Sequence, residues 1–231
     1  MAQIRFDTEG AKALHRQLQK LTPKYTGSQL FSDFLTLSRC ALAGGTMERE
    51  YLETMRKYGK HEALIFPQAF AQLVIAMERE RKDILGDYYT GAITHGEHGQ
   101  FYTPENICEM MARIIEPRTG STVSDPCCGS GRMLLASAKV NRRCTFHGQD
   151  IDFRCVEMCT LNLALWGLSG FIVWGDSLEK EVRRVFRTGA PGTLRRGIIV
   201  EVDIHRHDFT TFDESLQTIT KIKQSEQAEL F

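Results

Sequence analysis

The stretch Asp125-Pro126-Cys127-Cys128-Gly129-Ser130-Gly131 constrains this chain more than any other. It falls between a short strand-like run, Thr122–Ser124, and a helical pattern that opens at Arg132. Gly129 and Gly131 let the backbone turn tightly there and approach a ligand closely. The helix that follows offers free N–H groups at its first turn. A nicotinamide-type fingerprint requires a third glycine three residues after Gly131, and Leu134 stands there instead, so a dinucleotide fold is disfavoured.

The surrounding pattern repeats the same grammar. Strand-like runs at Thr122–Ser124, Cys144–Gln149 and Phe171–Trp174 alternate with helical patterns at Arg132–Val140 and Phe153–Trp166. Such alternation predicts a parallel sheet with crossover helices. Gly197–Ile204 reads as a fourth strand and Phe212–Gln227 as a last helix. Asp125, Asp150 and Asp176 each end a predicted strand, at what becomes one edge of the sheet. Ligands of open α/β sheets bind at that edge, and a carboxylate after the second strand is placed to accept from ribose hydroxyls. Each Asp alone serves equally well as a helix cap. The three together, beside the glycine turn, point to a nucleoside-containing ligand.

Ahead of this region the chain reads as helical, with apolar spacing over Thr8–Leu21 and Ser28–Leu42, a polar helix over Met47–Tyr58 ended by Gly59, and a longer helix over Phe66–Leu85. Pro67 suits a first turn, and the charged run Glu78–Asp83 reads as a solvated helix face. A Gly- and His-rich loop, Gly86–Gly99, follows. We therefore expect a helical region over 1–90 and an α/β domain over 91–231. The formal net charge of zero gives no global footprint for nucleic acid. No signal core or long apolar run occurs, and seven cysteines without a C-x-x-C pair argue against a disulfide framework, so a cytoplasmic protein is expected. Cys155 and Cys159, one helical turn apart, read as small apolar helix residues rather than a metal clip.

The order of motifs resembles the adenine-specific DNA methylases of type I restriction–modification systems. The resemblance runs from Asp83 to Leu178. Asp83–Tyr89 resembles the family's helix-to-loop lead-in, and Gly99-Gln100-Phe101-Tyr102-Thr103-Pro104 the segment that precedes its cofactor domain. Asp125–Gly131 resembles the D-P-x-C-G-[ST]-G loop, with Cys127 in the variable slot. Gly148-Gln149-Asp150, Asn162–Gly167 and Gly175-Asp176-Ser177-Leu178 follow in the family's order. The resemblance implies a Rossmann-like α/β fold and S-adenosylmethionine as cofactor. It assigns Tyr102, Thr103 and Pro104 to the border of the methionine moiety, and Asp125, Cys127 and the Gly129–Gly131 backbone to the loop around its amino and carboxylate groups. Asp150 would hold the ribose and Asp176 the adenine, with Ile151 and Leu178 packed on its ring.

One family element is missing. The loop [NDS]-P-P-[FYW], which holds the flipped target adenine, has no counterpart, because the prolines (23, 67, 104, 117, 126 and 191) are never adjacent. The matching strand would be Gly197–Ile204, near or at the edge of a shortened sheet, and it leads into His205-Arg206-His207-Asp208-Phe209. No catalytic residue is named, and the isolated chain is expected to be inactive, with DNA contact and the catalytic or recognition part supplied by a partner subunit. The alternative is a cofactor-binding accessory protein without chemistry. His205 and His207 read as polar residues of an exposed edge rather than an acid–base pair, and His95 and His98 are too few for a metal site. Basic Lys180–Arg196 reads as a solvated helix and loop, with phosphate contact the alternative. The tail Gln227-Ala228-Glu229-Leu230-Phe231 resembles the Q-x-x-L-F peptide that docks on the bacterial sliding clamp; packing on its own domain is the plainer reading.

Overall fold

A computed structural model of the chain describes residues 4–94, 103–189 and 197–203. Contacts divide the chain into two compact units, Met1–Thr103 and Pro104–Phe231, where the sequence led us to draw the boundary at 90/91.

The first unit is helical. Thr8 caps α1 (Glu9–Leu18) and Thr26 caps α2 (Gly27–Leu42), each hydroxyl accepting from an N–H three residues on. α3 (Glu48–Met55), α4 (Lys60–Ala63) and α5 (Ile65–Glu80) follow, with Leu14, Leu18, Leu30, Phe31, Phe34 and Leu73 buried. Two expectations need correction. The helix begun at Phe66 does not run to Leu85: Arg81 adopts a left-handed φ of 52°, and Asp83 caps a new short helix, α6 (Ile84–Tyr88). The supposed loop from Gly86 is helical, continuing as a π-helical turn over Tyr89–Thr94. The cause is long-range. The buried Asp87 carboxylate accepts from the Asp7 and Thr8 N–H groups at 3.0 and 2.8 Å and from the Thr8 hydroxyl, tying α6 to the start of α1. His95 and His98 lie outside the described residues.

The second unit is the α/β layer structure. Helix α7 (Glu105–Ile115) precedes β1 (Thr122–Asp125), α8 (Arg132–Val140), β2 (Thr145–Asp150), α9 (Phe153–Trp166) and β3 (Gly170–Trp174). Strands β1, β2 and β3 are parallel neighbours in that order. Right-handed crossovers put α8 and α9 on one face, where they touch each other.

The sheet is not wholly parallel. Lys180–Arg196, expected to be helix and loop, contains β4 (Arg184–Thr188), antiparallel to β3. Only nine residues separate Trp174 from Arg184, too few for a crossover, so the chain doubles back. Val185 and Phe186 are buried, while Arg184 holds Glu201 through two hydrogen bonds of 2.6 and 2.9 Å and Arg183 pairs with Glu181. Strand β5 (Ile199–Val202) lies antiparallel to β4 at the sheet's edge, within the expected fourth strand. It therefore runs parallel to β1–β3, and its end emerges at their C-terminal edge, about 10 Å beyond β3. His205, His207, the predicted helix 212–227, and Gln227, Leu230 and Phe231 lie outside the described residues.

Candidate functional site

The C-terminal ends of β1, β2 and β3 lie side by side at one edge of the sheet. After Asp125 the chain turns through Pro126–Gly131 and enters α8. Gly129 and Gly131 both hold positive φ, 53° and 86°, a region other L-residues rarely occupy. Four hydrogen bonds fix the turn. The Cys128 N–H donates to the Gln149 carbonyl at 2.8 Å, the Gly131 N–H to the Cys128 carbonyl at 2.8 Å, and the Asn162 amide to the Ser130 carbonyl at 2.8 Å. The fourth, from the Gly129 N–H to Asp150 Oδ2 at 2.8 Å, joins the turn to the next strand.

The turn also packs without slack. A Cβ on Gly131 would lie 2.7 Å from Cys159 Sγ, and one on Gly148 would lie 3.1 Å from Cys128 Sγ and 3.3 Å from Cys159 Sγ. Cys128 and Cys159 are buried beneath the turn, and their shared hydrogen bond together with burial pushes the Cys128 thiol well up, so it stays neutral. Cys159 is thus the small packing residue the sequence implied. Cys127 is exposed.

Each strand-end carboxylate is tethered by backbone donors and keeps acceptor capacity. Asp125 Oδ1 accepts from the Cys127 N–H at 3.1 Å, and among the described residues no protein group bonds Oδ2. Asp150 accepts one N–H on each oxygen, from Gly129 and, at 2.9 Å, from Asp152; each oxygen retains a lone pair. Burial raises both carboxyls above the ordinary Asp value. Asp176 Oδ1 caps its own turn through the Leu178 and Glu179 N–H groups at 2.8 and 3.2 Å. Its cap role is therefore real, and Oδ2 is left over among the described residues. Ile151 and Leu178 flank this edge with 58% and 90% of their surfaces exposed, a cost in water that a flat apolar ligand would relieve.

Pro104 is the N-cap of α7, and Thr103 is the last residue of the first unit; Tyr102 lies outside the described residues. Sequence reasoning missed the aromatic wall between Asp150 and Asp176. The Trp174 indole N–H donates to the Ile151 carbonyl at 3.0 Å, its ring packs on Phe153 at 4.8 Å, and the Arg183 guanidinium lies over it at 5.2 Å. Trp174 at a strand end, one residue before Gly175, was the available signal. Among the described residues, no group of three His, Cys, Asp or Glu is arranged to hold a metal ion.

Residues 80–191 match the N-6 DNA methylase family. The type I restriction enzyme MjaVIII methylase subunit of Methanocaldococcus jannaschii is 32% identical over 129 residues, covering 51% of this chain and 22% of that protein. The EcoEI methylase subunit of Escherichia coli is 32% identical over 152 residues, covering 61% and 27%. The chain thus spans about a quarter of the length of these relatives. A solved type I restriction-modification system methyltransferase subunit from Streptococcus thermophilus aligns with a TM-score of 0.46 at 17% identity, over 77% of this chain and 60% of that one. Over residues 80–191 the chain is thus similar to the N-6 DNA methylases, and the curated relatives it matches are methylase subunits of type I restriction enzymes.

Proposed function

We propose that the second unit binds S-adenosylmethionine and serves as the cofactor half of a DNA adenine methyltransferase completed by another polypeptide. One observation carries the reading: Asp125, Asp150 and Asp176 end adjacent strands at one sheet edge, around a glycine turn pinned to Asp150, and each keeps acceptor capacity. The donors of this cofactor match that set. Its ammonium suits the free oxygen of Asp125, its ribose hydroxyls suit the remaining lone pairs of Asp150, and its adenine amine suits Asp176. Ile151 and Leu178 would pack on the adenine, and the Gly129–Gly131 backbone with Cys127 would face the amino-acid end. Resemblance assigns Tyr102, Thr103 and Pro104 to that same end. When bound, the cofactor supplies an electrophilic methyl group; this chain's residues bind and orient it.

Methyl transfer needs a pocket for the extruded adenine, and no Pro-Pro pair exists here to form the family's loop. We read the working enzyme as a complex in which a partner holds DNA and the target base. Seven free thiols, including the adjacent Cys128 and Cys159, support a reducing, cytoplasmic setting. The absent base loop also supports a second reading, a cofactor-holding accessory protein without catalysis.

Titration calorimetry with S-adenosylmethionine tests the core of this. Micromolar binding that Asp125→Ala abolishes is the expected result, whereas no heat at millimolar cofactor overturns both readings. Methyl transfer to DNA by the purified complex then separates them.

A further inference from the structure

One flank of the second unit is built like the middle of a sheet, but among that unit's described residues no strand lies beside it. Contacts order the helices across one sheet face as α7, α8, α9: α7 packs on α8, α8 over β1 and β2, and α9 over β2, β3 and β4. Every member of this layer except α7 is backed by strands. Helix α7 turns Cys108 and Ala112 toward Ala136 and Met133 of α8, and Lys139 clamps it through Glu105 and Glu109, both at 2.8 Å. Its next face carries Ile107, Met110, Met111, Ile114 and Ile115, which are 37, 51, 40, 74 and 57% exposed. These positions follow the i, i+3, i+4, i+7, i+8 spacing of a helix stripe made for burial. Beside it, β1 is the terminal strand among the described residues, and its alternate residues Thr122 and Ser124 are exposed. Its outer N–H and C=O groups form an open template for another strand.

The two features have one geometric explanation. Packed helices lie about 10 Å apart and neighbouring strands about 4.8 Å apart, so one overhanging helix covers roughly two strands. We infer that this flank docks a separate polypeptide, which adds at least two apolar strands to the β1 edge beneath α7. Its first strand, parallel to β1, would end beside Asp125. The inference rests on the reading above and names where the completing partner binds. The matched region makes up only 22% and 27% of the curated relatives, so those chains carry further polypeptide of the kind such a surface requires. A second copy of this chain fits poorly. Antiparallel β1–β1 pairing would drive the second copy's α8 into the space that α7 fills, and a β5 edge at β1 would propagate as an open filament.

In vivo photocrosslinking in the native host tests this, with the photoreactive residue at Met111 or Ile114 of the full chain and a control on α9 at Arg154. The expected product from both α7 positions, and not from the control, is one distinct polypeptide joined through an extended apolar segment. In the purified complex, amide exchange of residues 122–125 should slow by at least ~10-fold relative to the chain alone. Ile114→Glu and Met111→Lys should each abolish the complex with the fold intact by circular dichroism. Crosslinks to a second copy, crosslinks to residues 204–231 of the same chain, no crosslink, or a complex that leaves β1 exchange unchanged would each overturn it. Cofactor titration of the same variants keeps the two proposals apart: binding retained without a flank partner sinks only this inference, and lost binding in the unmodified chain sinks the cofactor reading.

Discussion

Asp125 is where function and stability pull apart. Burial raises its carboxyl above the ordinary value, which the single bond from the Cys127 N–H only partly offsets. A carboxylate whose folded pKa exceeds its unfolded one favours the fold most below the unfolded value, and that contribution is lost as pH rises through the folded value. At neutral pH the charge therefore costs the empty domain stability. Asp125→Asn should raise the apo melting temperature while weakening S-adenosylmethionine by about 10- to 100-fold, the worth of one charge-assisted hydrogen bond; thermal melts and calorimetry on one preparation check both. Cofactor affinity of the unmodified chain should fall on acidification, starting above the ordinary Asp range because both Asp125 and Asp150 are raised. Flat affinity from neutral pH down to that range would remove Asp125 from the site. These acids were legible in the sequence because carboxylates at strand ends beside a glycine turn form a pattern. The contacts that Cys159 and Asn162 make with the turn were not, since the loop that a helix side chain will meet leaves no local signature.

At the scale of elements, the turn after β3 shows how tightly the site's frame is drawn. An alanine Cβ at Gly175 would fall 1.9 Å from the Glu181 carbonyl oxygen, and backbone there cannot step aside. Gly175→Ala should destabilise the second unit by about 2 kcal/mol or more, in the upper range for overpacking, read as a lower urea midpoint. Leu178→Ala, three residues on and almost wholly exposed, should leave the midpoint unchanged and weaken the cofactor several-fold. That turn also marks where sequence reading failed. Helices α8 and α9 follow their apolar periodicity to the residue, and β1–β3 follow theirs to within one. Strand β4 was hidden because Arg183, Arg184 and Arg187 surround Val185 and Phe186, and charge density imitates a solvated loop. Its charges are legible only beside β5, where Glu201 meets Arg184. In the first unit, α6 was obscured by glycine content and is held by Asp87, whose partners lie about eighty positions earlier.

For the whole molecule, the division at Thr103/Pro104 makes a thermodynamic claim. The proposed cofactor ligands Asp125, Asp150 and Asp176 all belong to the second unit, while the first has its own core around Leu14, Phe31, Phe34 and Leu73. Two cores that fold as separate cooperative units give two heat-capacity transitions. A ligand raises the stability only of the unit it binds, by RT ln(1 + [L]/Kd), about 2.7 kcal/mol at a hundredfold excess over Kd. Scanning calorimetry should therefore show two transitions, of which S-adenosylmethionine moves one upward by roughly 10 °C. Asp125→Ala should hold both in place. Joint movement of the two would mean that the units melt as one body, and movement of the transition that Gly175→Ala leaves untouched would put the ligand in the helical unit instead. A partner seated on α7 and β1 should raise the same transition as the cofactor, because both would bind the one sheet.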